Sequence, residues 1–424
     1  MFRTRINVRE SVQIFALVLV FIFSLNFFQS TPFESIFFQA QLLFYFFLFL
    51  FGTVFFIHKV LRQVKMSSFD LYMFFLAAVI PVYLAIRASV VFGQPLWYGI
   101  AAERHWLVVL AAVWLHHELS AGRISIQTVK KTLLLMAWAT LIVFVLIQML
   151  IDPGPFVRTP FASFSKIRGF RFRLNYFFII YGAIYYFISY TKTHRFPQLL
   201  KALAFSVYIV LIIQGRAMLL FLFITACVYL IVNKSFQYNV KLLLKASLAF
   251  SVLLIFCYVM YPSIISKYIN LYHQAGIVLS GHMGEDYSAN SRILQVNEML
   301  LYLKTHSELL WFGAGRLSYH WNGGFSRVLG YFYPSDTGLI GMIFVYGIVG
   351  IMVVLFSVIF YIRSKCSELF RSDVFALSIK YYGLYFIFLT LVTGAIVFQA
   401  SRFMLLMAIM TYICEAGVND KEKT

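Results

Sequence analysis

Long apolar runs alternate with short polar connections along the whole chain. A helix crossing a bilayer needs about 20 apolar residues. Runs of roughly that size lie at 11–28, 37–57, 69–86, 96–115, 132–150, 175–191, 199–215, 217–233, 246–262, 336–362, 374–393 and 402–416. The pattern predicts an all-α polytopic membrane protein of about twelve transmembrane helices. Two runs are irregular. The fourth follows Pro95 and carries Glu103, Arg104 and His105, and the tenth is long enough to be tilted or broken near Gly347. One connection is long, 263–335, and is expected to be a loop subdomain inserted in a single integral membrane domain, 1–424. Within it, ANSRILQVNEMLLYL reads as an amphipathic helix, with Asn290 or Ser291 as N-cap and Ile293, Val296, Leu300 and Leu303 on one face.

Composition supports the same class. Hydrophobic residues make up 62% of the chain and charged residues 12%, more apolar side chain than a soluble surface could carry. Aromatics reach 19%, with 48 Phe, which suits lipid-facing surfaces and interfacial belts. Cys227, Cys257, Cys366 and Cys414 show no metal-ligand spacing, and none falls in an outer loop, so a disulfide framework is not expected. The N-terminal basic residues precede an apolar run without a small-residue cleavage site, which reads as a retained first helix.

The net charge of +19 would suggest nucleic acid in a soluble protein. In a membrane protein the first account is the excess of Lys and Arg that holds loops in the cytoplasm, and no nucleic-acid partner is expected. Arg3, Arg5 and Arg9 precede the first run; Lys59, Arg62 and Lys65 follow the second. Every alternate connection continues in this way to Lys421 and Lys423, placing both termini in the cytoplasm. That rule leaves a remainder on the outer side: Arg87, Arg104, Arg216 and Arg402 near helix ends, Arg158, Lys166, Arg168, Arg171 and Arg173 in 151–174, and Lys267, Arg292, Lys304, Arg316 and Arg327 in 263–335.

Cations on the translocated side oppose insertion, and a bound anion is a physical reason to tolerate them; contact with lipid head groups is the bland one. Arg216, in LIIQGRAMLLF, lies between two apolar segments, where a guanidinium costs several kcal/mol unless paired or facing a wet cavity. Arg292 falls in the first turn of the expected amphipathic helix, near its positive end. Gly313 and Gly315 in LLWFGAGRLS suggest a flexible turn, and Asp336 in YPSDTG is expected to cap the tenth span. Arginine's planar fork binds phosphate bidentately and stays charged at any relevant pH, so a lipid-linked phosphate or pyrophosphate suits this set. No acidic pair is placed to hold a metal, so no metal or cofactor is expected, and Asp336 and Glu298 are candidate bases for an acceptor hydroxyl. His116, His117 and Glu118 are adjacent and diverge on a helix, a poor metal site.

The stretches RGFRFRLNYF, QGRAMLL, NSRI followed by WFGAGRLS, and SDTGLIGMIFVYGIVG resemble the O-antigen ligase/polymerase superfamily. The likeness in hydropathy covers most of the chain, while the motifs are confined to 166–182, 214–220 and 290–350. The resemblance implies a GT-C-like fold in the bacterial inner membrane, a large periplasmic loop between spans nine and ten, and a metal-independent reaction. It also implies that Arg168 or Arg171, Arg216 and Arg292 bind an undecaprenyl pyrophosphate donor, and that a chain-length regulator and a flippase act alongside. The wider binding set is Arg168, Arg171, Arg173, Arg216, Arg292, Arg402 and Glu298, with Asp336, Arg216 and Arg292 as the catalytic candidates. Ligases of the superfamily generally carry a histidine before the tenth span. Here the stretch reads PSDTG, which favours a polymerase that transfers glycan onto another lipid-linked repeat unit. A ligase acting on lipid A-core is the alternative within the superfamily. A flippase or secondary transporter is the alternative of another class, although the halves look unlike each other and the unusual charges lie toward one surface.

Overall fold

A computed structural model describes residues 8–419 except 166–168, 214, 236, 239–240, 242–286 (apart from 273 and 277), 329, 331 and 364–372. The expected ninth span, 246–262, the first part of the long connection and Arg168 lie outside the described residues.

In chain order the helices are α1 (Val8–Ser24), α2 (Glu34–Leu61), α3 (Ser68–Phe92), α4 (Leu96–Ala102), α5 (Val109–Ser120) and α6 (Ile126–Leu150). A two-stranded hairpin follows, β1 (Ala162–Ser165) and β2 (Gly169–Phe172), then α7 (Phe177–Thr193), α8 (Phe196–Tyr208) and α9 (Arg216–Asn233). After the undescribed stretch come α10 (Tyr287–Thr305), α11 (Glu308–Phe312), α12 (Phe325–Val328), α13 (Leu339–Tyr346) and α14 (Ile348–Arg363). The chain ends with α15 (Val374–Thr393), α16 (Ala395–Phe398) and α17 (Ala400–Asn419).

Five of the described helices, α2, α3, α6, α9 and α15, are long and apolar enough to cross a membrane, and α13 with α14 makes a bent sixth. The protein is a helical membrane protein. Its outward face is apolar: on α2, Phe46, Phe47, Phe49 and Val54 are each more than half exposed. In water such a surface would be unfavourable at about 25 cal/mol per Å². Lipid removes that term, so burial inside the bundle is set by packing shape and polar pairing. Accordingly α17 is buried along most of its length against α5 and α15, and Met404, Met407 and Ala408 are fully enclosed.

The break expected near Gly347 is present: α13 and α14 meet at 119°. Gly347 has φ +61°, and a Cβ there would lie 2.5 Å from the Gly313 nitrogen. The fourth apolar run is not one helix. It splits into α4, a 3-10 turn at Arg104–Val108, and α5, because Glu103, Arg104 and His105 turn toward polar partners instead of continuing an apolar face. The seventh run ends in a π-helical turn at Ile209–Ile213.

Two expectations in the long connection are corrected. Asn290 and Ser291 do not cap α10, which already runs from Tyr287, so Arg292 stands in its second turn. The buried stripe is Ser291, Gln295, Met299 and Leu303, while Leu300 is half exposed, because the helix docks on Thr337, just before α13, through Met299 and on α13 through a Tyr302–Phe344 ring contact. Nor does Asp336 cap the tenth span. It ends a 3-10 turn, Pro334–Asp336, and Gly338 occupies the N-cap of α13 with no side-chain cap bond.

Candidate functional site

Three adjoining cavities, of about 320, 280 and 300 Å³, lie at the end of the bundle where α1 runs into α2 and α16 into α17. The first and second share Asn26, Gln29 and Arg402. The first and third share Ala102, Arg104, Arg316 and Phe398. Together they form a trench whose walls carry Arg104, Arg171, Arg173, Arg316 and Arg402, from well-separated parts of the chain.

The hairpin sets Arg171 and Arg173. In a strand, side chains alternate between faces, so Phe170 and Phe172 point opposite to the arginines. Phe164 meets Phe170, and Phe161 meets Phe172, each with ring centres 4.8 Å apart. Ser163 pairs with Arg171 across the hairpin and accepts its Nε–H at 3.1 Å. The Arg173 N–H donates to the Phe161 carbonyl at 2.8 Å, extending the ladder by one residue. Asn175 then fixes the exit. Its Oδ1 accepts the Phe177 N–H at the start of α7, and its Nδ2 donates to the Leu25 carbonyl at 2.6 Å. That second bond ties the hairpin to the end of α1, beside the first cavity.

Arg402 stands in the first turn of α17 and lines both the first and second cavities. Tyr382 and Tyr385 of α15 lie close enough to its guanidinium to interact electrostatically. Arg216 opens α9; its neighbours Gly215, the N-cap, and Met218 line the second cavity.

Arg316 is positioned by backbone threading. The segment 313–315 runs between α3 and the bend of α13, with the Ala314 and Gly315 N–H groups donating to the Phe344 and Val345 carbonyls at 2.7 and 3.0 Å. Gly315 has φ +76°, and a Cβ there would fall 2.3 Å from the Ala88 nitrogen. The expected flexible turn is therefore a close-packed, fixed one. Around it, Tyr83 donates to the Phe312 carbonyl, Arg87 to that of Gly313, and buried Gln94 takes the Ser318 N–H and donates to the Arg316 carbonyl. The Arg316 Nε then lies 3.8 Å from Glu103, whose carboxylate is fully buried.

Of the residues singled out in the sequence, Arg171, Arg173 and Arg402 meet around the second cavity. Arg292 and Glu298 are exposed on α10 and line none of the three cavities. Asp336 is also exposed and off the linings, although the preceding Tyr333, Pro334 and Ser335 line the third cavity. Arg104 and Arg316 were visible only as outer-side cations. Their signal was the interrupted fourth run and the glycines of GAGR, which mark where the backbone must turn inward.

No protein-family model matches the chain, and no curated protein matches it in sequence.

Proposed function

We propose that the protein is a membrane glycosyltransferase that polymerises a cell-surface polysaccharide, O-antigen or a similar glycan. In this reading the trench faces the periplasm, and the fold serves a GT-C-like, metal-independent reaction. A lipid-linked glycan lies with its pyrophosphate against Arg171, Arg173 and Arg402 and its undecaprenyl chain toward bilayer. A hydroxyl of a second lipid-linked repeat unit attacks the sugar C1. The C1–O bond to pyrophosphate breaks, the electron pair stays on the leaving phosphate oxygen, and the hydroxyl proton passes to a carboxylate. Fixed guanidinium groups lining the cavity stabilise the charge developing on the leaving group. The positive end of α9, opening at Gly215 beside the same cavity, adds to that field.

The observation that carries the reading is the convergence of Arg171, Arg173 and Arg402 on one cavity, with Arg216 at its edge. Replacing Arg402 or Arg216 with Ala is expected to lower polymer formation by roughly 10²–10³, as for loss of a charge-stabilising group, while the protein still inserts. Stained glycolipid from a complemented deletion strain gives the answer. Long chains of normal length in the Arg402 variant would reject the clamp. Polymer that forms but stays unattached to lipid A-core in the deletion strain would favour a ligase, and accumulation of repeat units on the cytoplasmic side would favour a flippase.

A further inference from the structure

At the end of the trench away from Arg171 and Arg173, Arg104 and Arg316 stand together where the first and third cavities meet. We infer that this pair is a second anion subsite, which takes a carboxylate of the glycan, so that the repeat unit handled by this protein contains an acidic sugar. The inference rests on the polymerase reading and names the substrate class for that same trench.

The subsite is built, not incidental. Arg316 is placed by the threading of 313–315 and by Gln94, and Glu103 holds its Nε side from a position with no solvent exposure. Among the described residues, Arg316 at 3.8 Å and His105 at 3.7 Å are charged or ionisable neighbours of Glu103, with the Trp106 indole beside them. The Arg316 side chain stays 38% exposed, on the lining of both cavities. Arg104 is oriented separately, with its guanidinium 5.1 Å from the Phe38 ring centre and one Nη1–H on the Ala101 carbonyl. Its remaining N–H groups are directed by the fork geometry of guanidinium.

Charge selects the ligand class. Two guanidinium groups line this end against three around the second cavity, so the pair is less positive than the Arg171, Arg173 and Arg402 group. A pyrophosphate suits the richer end, and a single carboxylate suits the poorer one. The third cavity beyond the pair has the lining of a sugar site: the half-exposed ring of Tyr333 and the more exposed ring of Tyr319 offer faces, and Ser318, His320, Ser326 and Ser335 offer hydrogen bonds.

The test compares the protein in lipid nanodiscs acting on its native lipid-linked repeat unit and on the same unit after chemical reduction of carboxyl groups to alcohols. The surface glycan is first analysed with and without the gene. The expected results are a glycan that depends on the gene, a carboxyl-bearing sugar in its repeat, and at least a tenfold preference for the unreduced unit. R104Q and R316Q are expected to abolish that preference at unchanged protein level and melting temperature. A neutral repeat, or equal use of both units by the wild type, overturns the inference and leaves the polymerase reading standing. So does an equal loss on both units in R104Q and R316Q, which would mean that the pair grips pyrophosphate. A glycan that does not change when the gene is removed overturns the polymerase reading itself.

Discussion

Gly315 and Gly93 separate two effects that usually travel together. Both hold a left-handed backbone, φ +76° and +72°. A Cβ at Gly93 would meet nothing within 4 Å, whereas at Gly315 it would sit 2.4 Å from the Leu84 carbonyl oxygen. Gly93→Ala should therefore cost only the backbone strain, of order 1–3 kcal/mol. Gly315→Ala adds a clash with the backbone of α3, which cannot swing aside as a flexible side chain would, and overpacking contributes about 1–3 kcal/mol more. Thermal unfolding of the detergent-solubilised protein should show the larger drop for Gly315→Ala. That variant should also lose activity, because the same segment aims Arg316. Equal melting temperatures for the two variants would contradict the threading.

Elements were legible in proportion to how far their pattern was local. The runs that became α9 and α15 match within one residue, and those that became α2, α3 and α6 within about six, because lipid accepts any long apolar helix and hydropathy alone decides them. The bend at Gly347 was also visible, since the run 336–362 is long for one straight span and Gly347 falls near its middle. The hairpin was not. RGFRFRLN read as a charged loop, and only its alternation of Phe with Arg hinted at a strand with two faces. Its placement depends on Asn175, a long-range tie to Leu25 that no local pattern encodes. Asn175→Ala removes the acceptor for the Phe177 N–H and leaves the Leu25 carbonyl without its donor. Loss of that hydrogen bond costs about 0.5–1.5 kcal/mol, and a buried unpaired group about 1–3 kcal/mol. The expected outcome is lower thermal stability together with weaker use of the donor, since Arg171 and Arg173 ride on the loosened hairpin. Asn175→Asp retains the acceptor but not the donor, and should recover part of the stability alone.

At the scale of the whole molecule, charge is divided between the two ends of the bundle. At one end two of the cations are paired with acids: Lys131 with Glu10 at 2.6 Å, and Arg123 with Glu118 through two bonds of 2.7 and 2.8 Å. The Gln13 amide also reaches the Arg123 carbonyl, so α1 is fastened to α6 there. At the other end guanidinium groups surround the trench, where Glu34 lines the first cavity and Glu103 lies behind it. Both ends carry positive charge, and at the trench end the field falls on cavities that can hold an anionic ligand. If the basic connections are cytoplasmic, as the positive-inside pattern predicts, the trench opens outside. Two exposed positions report on this directly. Tyr319, 77% exposed, sits on the third cavity, and Arg123, with a side chain 53% exposed, sits at the paired end. In a background with Cys227, Cys257, Cys366 and Cys414 replaced, Tyr319→Cys should react with a membrane-impermeant maleimide on intact spheroplasts. Arg123→Cys should react only after permeabilisation. The opposite pattern would turn the trench toward the cytoplasm, where a polymerase of periplasmic repeat units cannot work, and would remove the reading at its root.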